Sequence, residues 1–235
     1  MKLTGQTPGF GAKDLDEFRA RLVQLRAELE PPTQAADYLA YTDGACFGNP
    51  SGPGGWAAAV SSTEEGSSWH LWGHLSSTSN NRAEALGVLG ALEWVPPAAR
   101  LTIRSDSQLT VRIFEGHYKA KANPEIWELI RSTRSQKRLS VTIEWLRGHA
   151  GDPGNELADR LSKLGALNGN VDSLETLEAA PVRQVQPEAP QLVGLEPRGE
   201  WERDFVRSVS KQLRGGRALS DKQQAIIDRI RAHGK

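Results

Sequence analysis

Four acidic residues occupy positions from which their side chains can meet at one site. Asp43 follows the apolar run YLAYT, and Asp106 follows LTIRS. Glu84 opens a predicted helix in NNRAEA, and Asp159 lies in a later predicted helix. Clustered carboxylates raise one another's pKa unless a cation neutralises them, and Mg²⁺ prefers oxygen ligands and shares its shell with substrate phosphates. The set therefore predicts a magnesium site that could bind a substrate phosphate, although each acid taken alone is more simply a surface residue or a helix cap.

The spacing of apolar residues predicts the elements that position these acids. Short apolar runs between Gly, Ser and Pro clusters indicate strands, and leucines at three- and four-residue steps indicate helices with one buried face. In the order β-β-β-α-β-α-α-β-α, we predict elements at 38–47, 55–62, 67–75, 81–95, 101–105, 107–115, 124–134, 140–146 and 155–167. This order predicts an α/β fold with a five-stranded mixed sheet, an antiparallel meander followed by parallel strands, flanked by helices. If the first and fourth strands are neighbours, Asp43 and Asp106 emerge side by side.

The chain outside this region divides into three further segments. Leucine and phenylalanine positions within residues 12–30 form one helical stripe, for which docking on the core is our preferred interpretation. The stretch Asn168–Gly199 is rich in Pro, Gln and Glu and is predicted to be a flexible linker. We therefore predict an N-terminal helical extension, a catalytic domain, a linker and a basic helical tail, at 1–36, 37–167, 168–199 and 200–235.

The basic tail is predicted to contain two helices. Apolar residues recur every four positions from Trp201 to Leu213. A second helix is expected to begin at Ser220, because Gln223 is placed to complete a capping box. The apolar side of this second helix is expected to contain Ile226, Ile227 and Ile230.

The formal net charge of zero conceals two basic regions. Residues 100–147 and 198–235 each carry ten Lys or Arg against five Asp or Glu, and an acidic stretch separates them. Such regions fit nucleic-acid binding, although solvated surfaces would have the same composition. The sequence contains no apolar run of membrane-spanning length and no secretory leader pattern, so we expect a cytoplasmic protein without membrane contact.

The single cysteine and the tryptophans of the central region are expected to have structural roles. Cys46 is the single cysteine, which excludes an intrachain disulfide; we expect a small, nearly buried residue rather than a nucleophile. The tryptophans of the central region lie in regular elements beside apolar neighbours and are expected to pack in the core: Trp56, Trp72, Trp94, Trp127 and Trp145.

Four motifs in order resemble the type 1 ribonuclease H family. They are YTDGACFGNPSGPGGW, SNNRAEA, SDSQ and GHAGDPGNELAD, and the resemblance extends from Asp37 to Leu167. A lone TDG motif would be weak evidence for the family, whereas four motifs in the family's order are specific evidence. The resemblance implies the ribonuclease H-like fold and an endonuclease that hydrolyses the RNA strand of RNA–DNA hybrids.

The resemblance also implies the roles of the catalytic residues. Asp43, Glu84, Asp106 and Asp159 are expected to hold two Mg²⁺ ions, with Mn²⁺ as the alternative ion. In two-metal hydrolysis one ion activates water and the other stabilises the leaving oxygen, which here would give 5′-phosphate and 3′-hydroxyl ends. His149 is expected to shuttle protons and to help product release, because imidazole titrates near neutral pH; the alternative is a loop histidine without a function.

Recognition of the hybrid requires groups that contact ribose and phosphate. By resemblance, the groove is expected to be lined by Cys46, Asn49, Asn80 and Gln108, with Ser79 holding a DNA-strand phosphate. Side-chain amides and backbone N–H groups suit such contacts, which position a duplex without reading its sequence. Asn80 and Asn81 are equally suited to capping the helix that follows them.

One departure from the family lies between the third and fourth predicted helices. Only GHYKAKANPE joins them, so the long basic protrusion of many relatives is truncated. The basic tail and the N-terminal helix are therefore candidates for binding nucleic acid or a protein partner. Alternative functions are a non-catalytic hybrid-binding or scaffolding module with the same fold, and a related exonuclease.

Overall fold

The computed structural model describes residues 13–64, 66–179, 192, 195, 199–214 and 219–232. These residues belong to two compact units, 1–175 and 176–235. The elements, in chain order, are α1 Lys13–Glu28, β1 Asp37–Cys46, β2 Gly54–Ser62, β3 Ser68–Leu75, α2 Asn80–Trp94, β4 Arg100–Ser105, α3 Gln108–Phe114, α4 Pro124–Gln136, β5 Ser140–Trp145, α5 Pro153–Ala166, α6 Val171–Ala179, α7 Glu200–Arg214 and α8 Asp221–Ala232.

The five strands form one mixed sheet in the order β3-β2-β1-β4-β5. Strand β1 pairs antiparallel with β2 and parallel with β4, while β3 extends the antiparallel side and β5 the parallel side. The predicted element order, the mixed sheet and the adjacency of the first and fourth strands are all confirmed.

Alternate residues of β2 pack into two different layers. Ala58 and Val60 belong to the main core, which also contains the buried residues of α1, α2 and α4. Ala57 and Ala59 pack with Leu161 of α5 in a second cluster. Because successive side chains of a strand point to opposite faces, the sheet lies between α2 and α5. The two helices that carry Glu84 and Asp159 are thereby fixed to opposite faces of the strand that carries Asp43.

Helix α1 is part of the main core. The predicted stripe of Leu15, Phe18, Leu22 and Leu25 is buried, and the Phe18 ring lies 4.8 Å from the ring of Trp56 on β2. The expectation that this stripe docks on the core is confirmed, whereas the predicted division into segments at residues 36, 167 and 199 stays a prediction.

Two structural predictions are wrong. Residues 171–179, expected to lie in a linker, form α6, because the Asn170 side chain accepts the Ser173 N–H and caps a segment in which Leu, Glu and Ala, all good helix formers, make up the majority. Residues 180–191 of the predicted linker lie outside the described part of the chain. Trp145 is 48% exposed, because it ends β5 at the edge of the sheet. Trp56, Trp94 and Trp127 are buried as predicted, and Trp72 is partly buried beside the second cluster.

The second unit contains the two predicted tail helices. Val209 of α7 and Ile227 of α8 are buried with Leu192 in a small apolar cluster. The predicted capping box is confirmed, since the Ser220 N–H donates to Gln223 Oε1 at 2.9 Å and the Gln223 N–H donates to Ser220 Oγ at 3.3 Å. The partner-binding role of this tail stays a prediction.

Within the described residues, no helix combines the length and the apolar composition that crossing a membrane requires.

Candidate active site

The parallel pairing of β1 and β4 places two acidic residues side by side. The pairing ends at Tyr41 opposite Arg104, and Asp43 and Asp106 each follow two residues later. Asp43 is nearly buried and still pairs with Ala57 of β2. Both carboxylates therefore lie at the same end of adjacent strands, as the sequence predicts.

Helix α2 brings Glu84 to this pair because Gly44 has no side chain. A methyl group at Gly44 would overlap the backbone N of Glu84, so only glycine permits this close approach of helix and strand. One carboxylate oxygen from each of Asp43, Glu84 and Asp106 lies within 4.8 Å of the others. The structure thus brings together three of the four predicted ligands.

Glu84 and Asp43 lie in an environment that disfavours their negative charges. Burial raises the pKa of the Glu84 carboxyl well above its ordinary value, and the charges of Asp43 and Asp106 raise it further. Burial also raises the pKa of Asp43, opposed by its hydrogen bond with Ser162 and reinforced by Asp106 and Asp159. Oε2 of Glu84 is buried without a hydrogen-bond partner in the described protein. A divalent cation fits this set, because it would bind hard oxygen ligands and neutralise the repulsion.

Asp159 lies at the margin of the cluster. Its charge contributes to the raised pKa of Asp43, but its Oδ2 is 2.5 Å from Nζ of Lys163, one helical turn later. The three-carboxylate group contains Asp43, Glu84 and Asp106 and does not extend to Asp159. As a metal ligand Asp159 would use its other carboxylate oxygen or exchange the Lys163 ammonium for the cation.

Helix α5 supplies two supporting contacts that sequence reasoning missed. Ser162 Oγ donates to Oδ2 of Asp43 at 2.6 Å, and Asn155 Nδ2 donates to Oδ2 of Asp106 at 3.3 Å. Asn155 and Ser162 lie four residues before and three residues after Asp159, so all three share one helix face. That spacing was the available signal for both residues.

The loop after β5 and the end of that strand also support Asp106. A methyl group at Gly148 would overlap Oδ2 of Asp106, so this loop passes against the carboxylate. The indole N–H of Trp145 donates to the backbone O of Asp106 at 3.0 Å, which gives this exposed tryptophan a place beside the site. His149 follows Gly148 in the same loop, exposed and with a positive φ of 53°.

The predicted substrate-binding residues of the β1–β2 turn meet the start of α2. Asn49 Oδ1 accepts the Asn80 N–H at 3.0 Å, and Cys46 Sγ donates to the backbone O of Thr78 at 3.2 Å. The N-cap is Ser79, whose side chain makes no capping hydrogen bond. The capping role considered for Asn80 and Asn81 is therefore wrong, because both lie in the first helical turn.

Gln108 stands apart from that group. It begins α3, two residues after Asp106, and is exposed. The predicted substrate contacts thus lie in two places, near the start of α2 and at the start of α3. Glu84 lies in α2, and Asp106 precedes α3.

The sheet order is that of a ribonuclease H-like fold, and the fold carries a cluster of three carboxylates. A family model described as RNase H matches residues 35–167. The chain therefore belongs to the ribonuclease H family, whose members are hydrolases acting on RNA–DNA hybrids.

Two sequence relatives agree with this assignment. The chain is similar to ribonuclease H of Jannaschia sp. strain CCS1, with 38% identity over 145 residues, which cover 55% of this chain and 90% of that protein. Ribonuclease H of Ruegeria sp. strain TM1040 is 39% identical over 145 residues, with the same coverage of 55% and 90%. Among solved structures, the N-terminal RNase H domain of a Mycobacterium tuberculosis protein is 23% identical, with a TM-score of 0.49, and covers 61% of this chain and 99% of that chain.

Proposed function

We propose that the protein is an endonuclease that cleaves the RNA strand of RNA–DNA hybrids with two Mg²⁺ ions, leaving 5′-phosphate and 3′-hydroxyl ends. The observation that carries this proposal is the group of three carboxylates within 4.8 Å, one of them with a buried, unpartnered oxygen. Such a group is costly without cations and suited to hold them. Mn²⁺ is the alternative ion, since it accepts the same oxygen ligands.

The roles of the protein's own residues follow from their contacts. Bound divalent cations would supply activation of water and stabilisation of the leaving oxygen. Asp43, Glu84 and Asp106 would hold the cations, and Asp159 is the fourth candidate ligand at the margin of the cluster. Ser162 and Asn155 fix the orientation of two of these carboxylates through the hydrogen bonds to Asp43 and Asp106.

His149 is proposed as the proton carrier. It is exposed at the tip of a loop that contacts Asp106 through Gly148, so its imidazole is accessible to a substrate at the carboxylates. An imidazole accepts a proton in its neutral form and donates one in its protonated form, which suits this side chain to proton transfer.

The hybrid is proposed to bind at the start of α2 and at the start of α3. Cys46, Asn49, Ser79 and Asn80 form one contact region, joined by the hydrogen bond between Asn49 and Asn80. Gln108 forms the other, beyond Asp106. Polar side chains and exposed N–H groups at helix starts suit phosphate and 2′-hydroxyl contacts.

The first test measures cleavage of end-labelled RNA–DNA hybrid, duplex RNA, duplex DNA and single strands, each with Mg²⁺ or EDTA. The Asp43→Asn variant should lose cleavage by a factor of about 10³ or more, because a cation site supplies several kcal/mol of transition-state stabilisation, and it should still bind the hybrid. Asp16→Asn is the matched control, since Asp16 is exposed on α1.

The products separate the proposal from its alternatives. Internal cuts in a hybrid whose RNA ends are blocked support an endonuclease, whereas loss of activity on blocked ends supports an exonuclease. RNA fragments that can be ligated without prior phosphorylation carry the proposed 5′-phosphate. Hybrid binding by the wild-type protein without cleavage of any substrate would identify a binding module instead.

A further inference from the structure

Helix α1 contacts the catalytic helix α2 through a buried ion pair. Asp14 is 1% exposed and Arg82 is 3% exposed. Arg82 Nε is 2.6 Å from Asp14 Oδ2, and Nη2 is 2.8 Å from Oδ1, so the guanidinium binds both carboxylate oxygens. Two parallel hydrogen bonds of this kind fix orientation as well as distance. Asp14 lies outside residues 35–167, the part of the chain that matches the family model.

The remaining guanidinium nitrogen of Arg82 connects to a third helix. Nη1 donates to Asn123 Oδ1 at 3.0 Å and also to Glu125 on the first turn of α4. Arg82 therefore joins α1, α2 and α4 at a point two residues before Glu84.

The same end of α1 also holds the connection between β3 and α2. Glu17 Oε2 accepts the backbone N–H of Ser76 at 2.9 Å, and Thr78 Oγ1 lies 3.5 Å from Asp14 Oδ2. With Arg82, these contacts attach α1 to residues 76–82 at three points. This segment contains two of the proposed substrate-binding residues and leads directly to a proposed metal ligand.

We propose that Asp14 is a positioning residue for cleavage of the hybrid. Through Arg82 and Thr78 it fixes the segment that presents Ser79 and Asn80 to the substrate, an inference that rests on the proposed function. Catalysis is sensitive to small displacements of binding and catalytic groups. A loosened segment therefore weakens hybrid binding even when the protein remains folded.

The test compares Asp14→Asn with Asp16→Asn. Asparagine preserves the shape of the Asp14 side chain. It carries no negative charge, however, and it offers Arg82 one acceptor oxygen instead of two. Asp16 lies on the same helical turn and is exposed. Its Oδ1 lies 3.6 Å from Nη1 of Arg19, which is also exposed. The two variants share the chemical change and differ in the contact with Arg82.

Hydrogen exchange and steady-state kinetics are measured on both full-length variants. For Asp14→Asn we expect amides of residues 76–84 to exchange about tenfold faster, with β4 and β5 unchanged, and the KM for hybrid to rise about fivefold or more with kcat within about threefold. Asp16→Asn should match the wild type. A merely structural role would instead speed exchange throughout the core and lower kcat in proportion to the folded fraction, with KM unchanged, and that result would overturn the proposal.

A second variant covers the case in which Asp14→Asn does not fold. Glu17→Ala removes the acceptor of the Ser76 N–H without leaving Arg82 unpaired, and it should show the same local exchange and KM effects in smaller degree. Wild-type exchange and KM in this variant, together with an Asp14→Asn protein that does not fold, would show that α1 serves stability alone and would overturn the proposal. If the wild-type protein cleaves no hybrid, the proposed function fails, while hydrogen exchange at 76–84 still decides whether α1 positions the segment.

Discussion

Replacing Glu84 by Gln should stabilise the metal-free protein while removing its activity. One oxygen of Glu84 lies within 4.8 Å of oxygens of both Asp43 and Asp106. Two full charges at that separation repel by about 3 kcal/mol in an effective dielectric of about 20. Partial protonation and salt reduce this value, so we expect the free energy of unfolding to rise by about 1–3 kcal/mol in EDTA. The new amide can also donate a hydrogen bond to a neighbouring carboxylate.

The pH dependence of this effect has a definite sign. The pKa of Glu84 is raised in the folded protein, chiefly by burial. The contribution of Glu84 to stability is therefore fully present below its unfolded pKa of about 4.3 and is lost as pH rises through the folded value. Glutamine does not titrate, so the advantage of the variant should grow as pH rises across this window.

The assay is thermal and urea unfolding of both proteins in EDTA and in Mg²⁺, at several pH values. A gain of 1–3 kcal/mol corresponds to about 2–10 °C in Tm for a domain of this size. Mg²⁺ should stabilise the wild type, by about 2.7 kcal/mol at one hundred times its Kd, and should stabilise the variant much less. Glu128→Gln, at an exposed position paired with Arg131, is the control and should leave Tm unchanged.

Two results would refute this reasoning. A Glu84→Gln protein that is less stable than the wild type in EDTA at pH 8 would show that the three carboxylates do not destabilise one another. A stability difference that is the same at pH 5 and pH 8 would show that Glu84 does not titrate with a raised pKa.

Two further predictions concern positions outside the carboxylate cluster. Gly148→Ala should lower kcat by about 10–100-fold with little change in Tm, because the added methyl group displaces the Asp106 carboxylate. A variant that reaches the kcat of the wild type when the Mg²⁺ concentration is raised would contradict this prediction. Burial lowers the pKa of Lys137 to about 8, below its unfolded value of about 10.4, so the folded state binds fewer protons between these values and stability rises with pH there. In urea unfolding, the free energy of unfolding of the wild type should therefore rise relative to that of Lys137→Met between pH 7.5 and pH 9.5. An equal difference between the two proteins at both pH values would indicate that the Lys137 ammonium is solvated.

The order of elements and the place of the acids could be predicted from the sequence, because both depend on local pattern. Apolar runs bounded by turn residues define β1 and β4, and the acids that follow them necessarily leave the sheet at one edge once those strands pair in parallel. The resemblance extended this to Asp159 and His149, whose roles stay predictions.

Contacts between distant positions could not be predicted in the same way. The spacing of Asn155, Asp159 and Ser162 shows that they share a helix face, but it does not show that Ser162 binds Asp43. The pairing of Asp14 with Arg82 was likewise hidden, because single acidic and basic residues on helices are usually solvated.

Two local errors have physical causes. The Pro, Gln and Glu content of residues 180–197 made the whole stretch from Asn168 to Gly199 resemble a linker. The shorter helical segment at its start, α6, was therefore not predicted. Trp145 was expected in the core because it lies in a regular element beside apolar neighbours, yet β5 is an edge strand and leaves most of its side chains accessible. Burial of a strand residue depends on the position of the strand in the sheet, which its own sequence does not specify.

The hydrogen bond between Ser162 and Asp43 joins residues 119 positions apart, which has a consequence for protein synthesis. A ribosome adds residues in order, so Asp43 emerges long before the hydroxyl that orients it. The sheet also requires β5, made late, to lie beside β4, and α5 is made later still. A nascent chain that lacks α5 carries three acids in the cluster without the helix that orients them. We therefore expect the acidic cluster to reach its final geometry only after α5 has been translated.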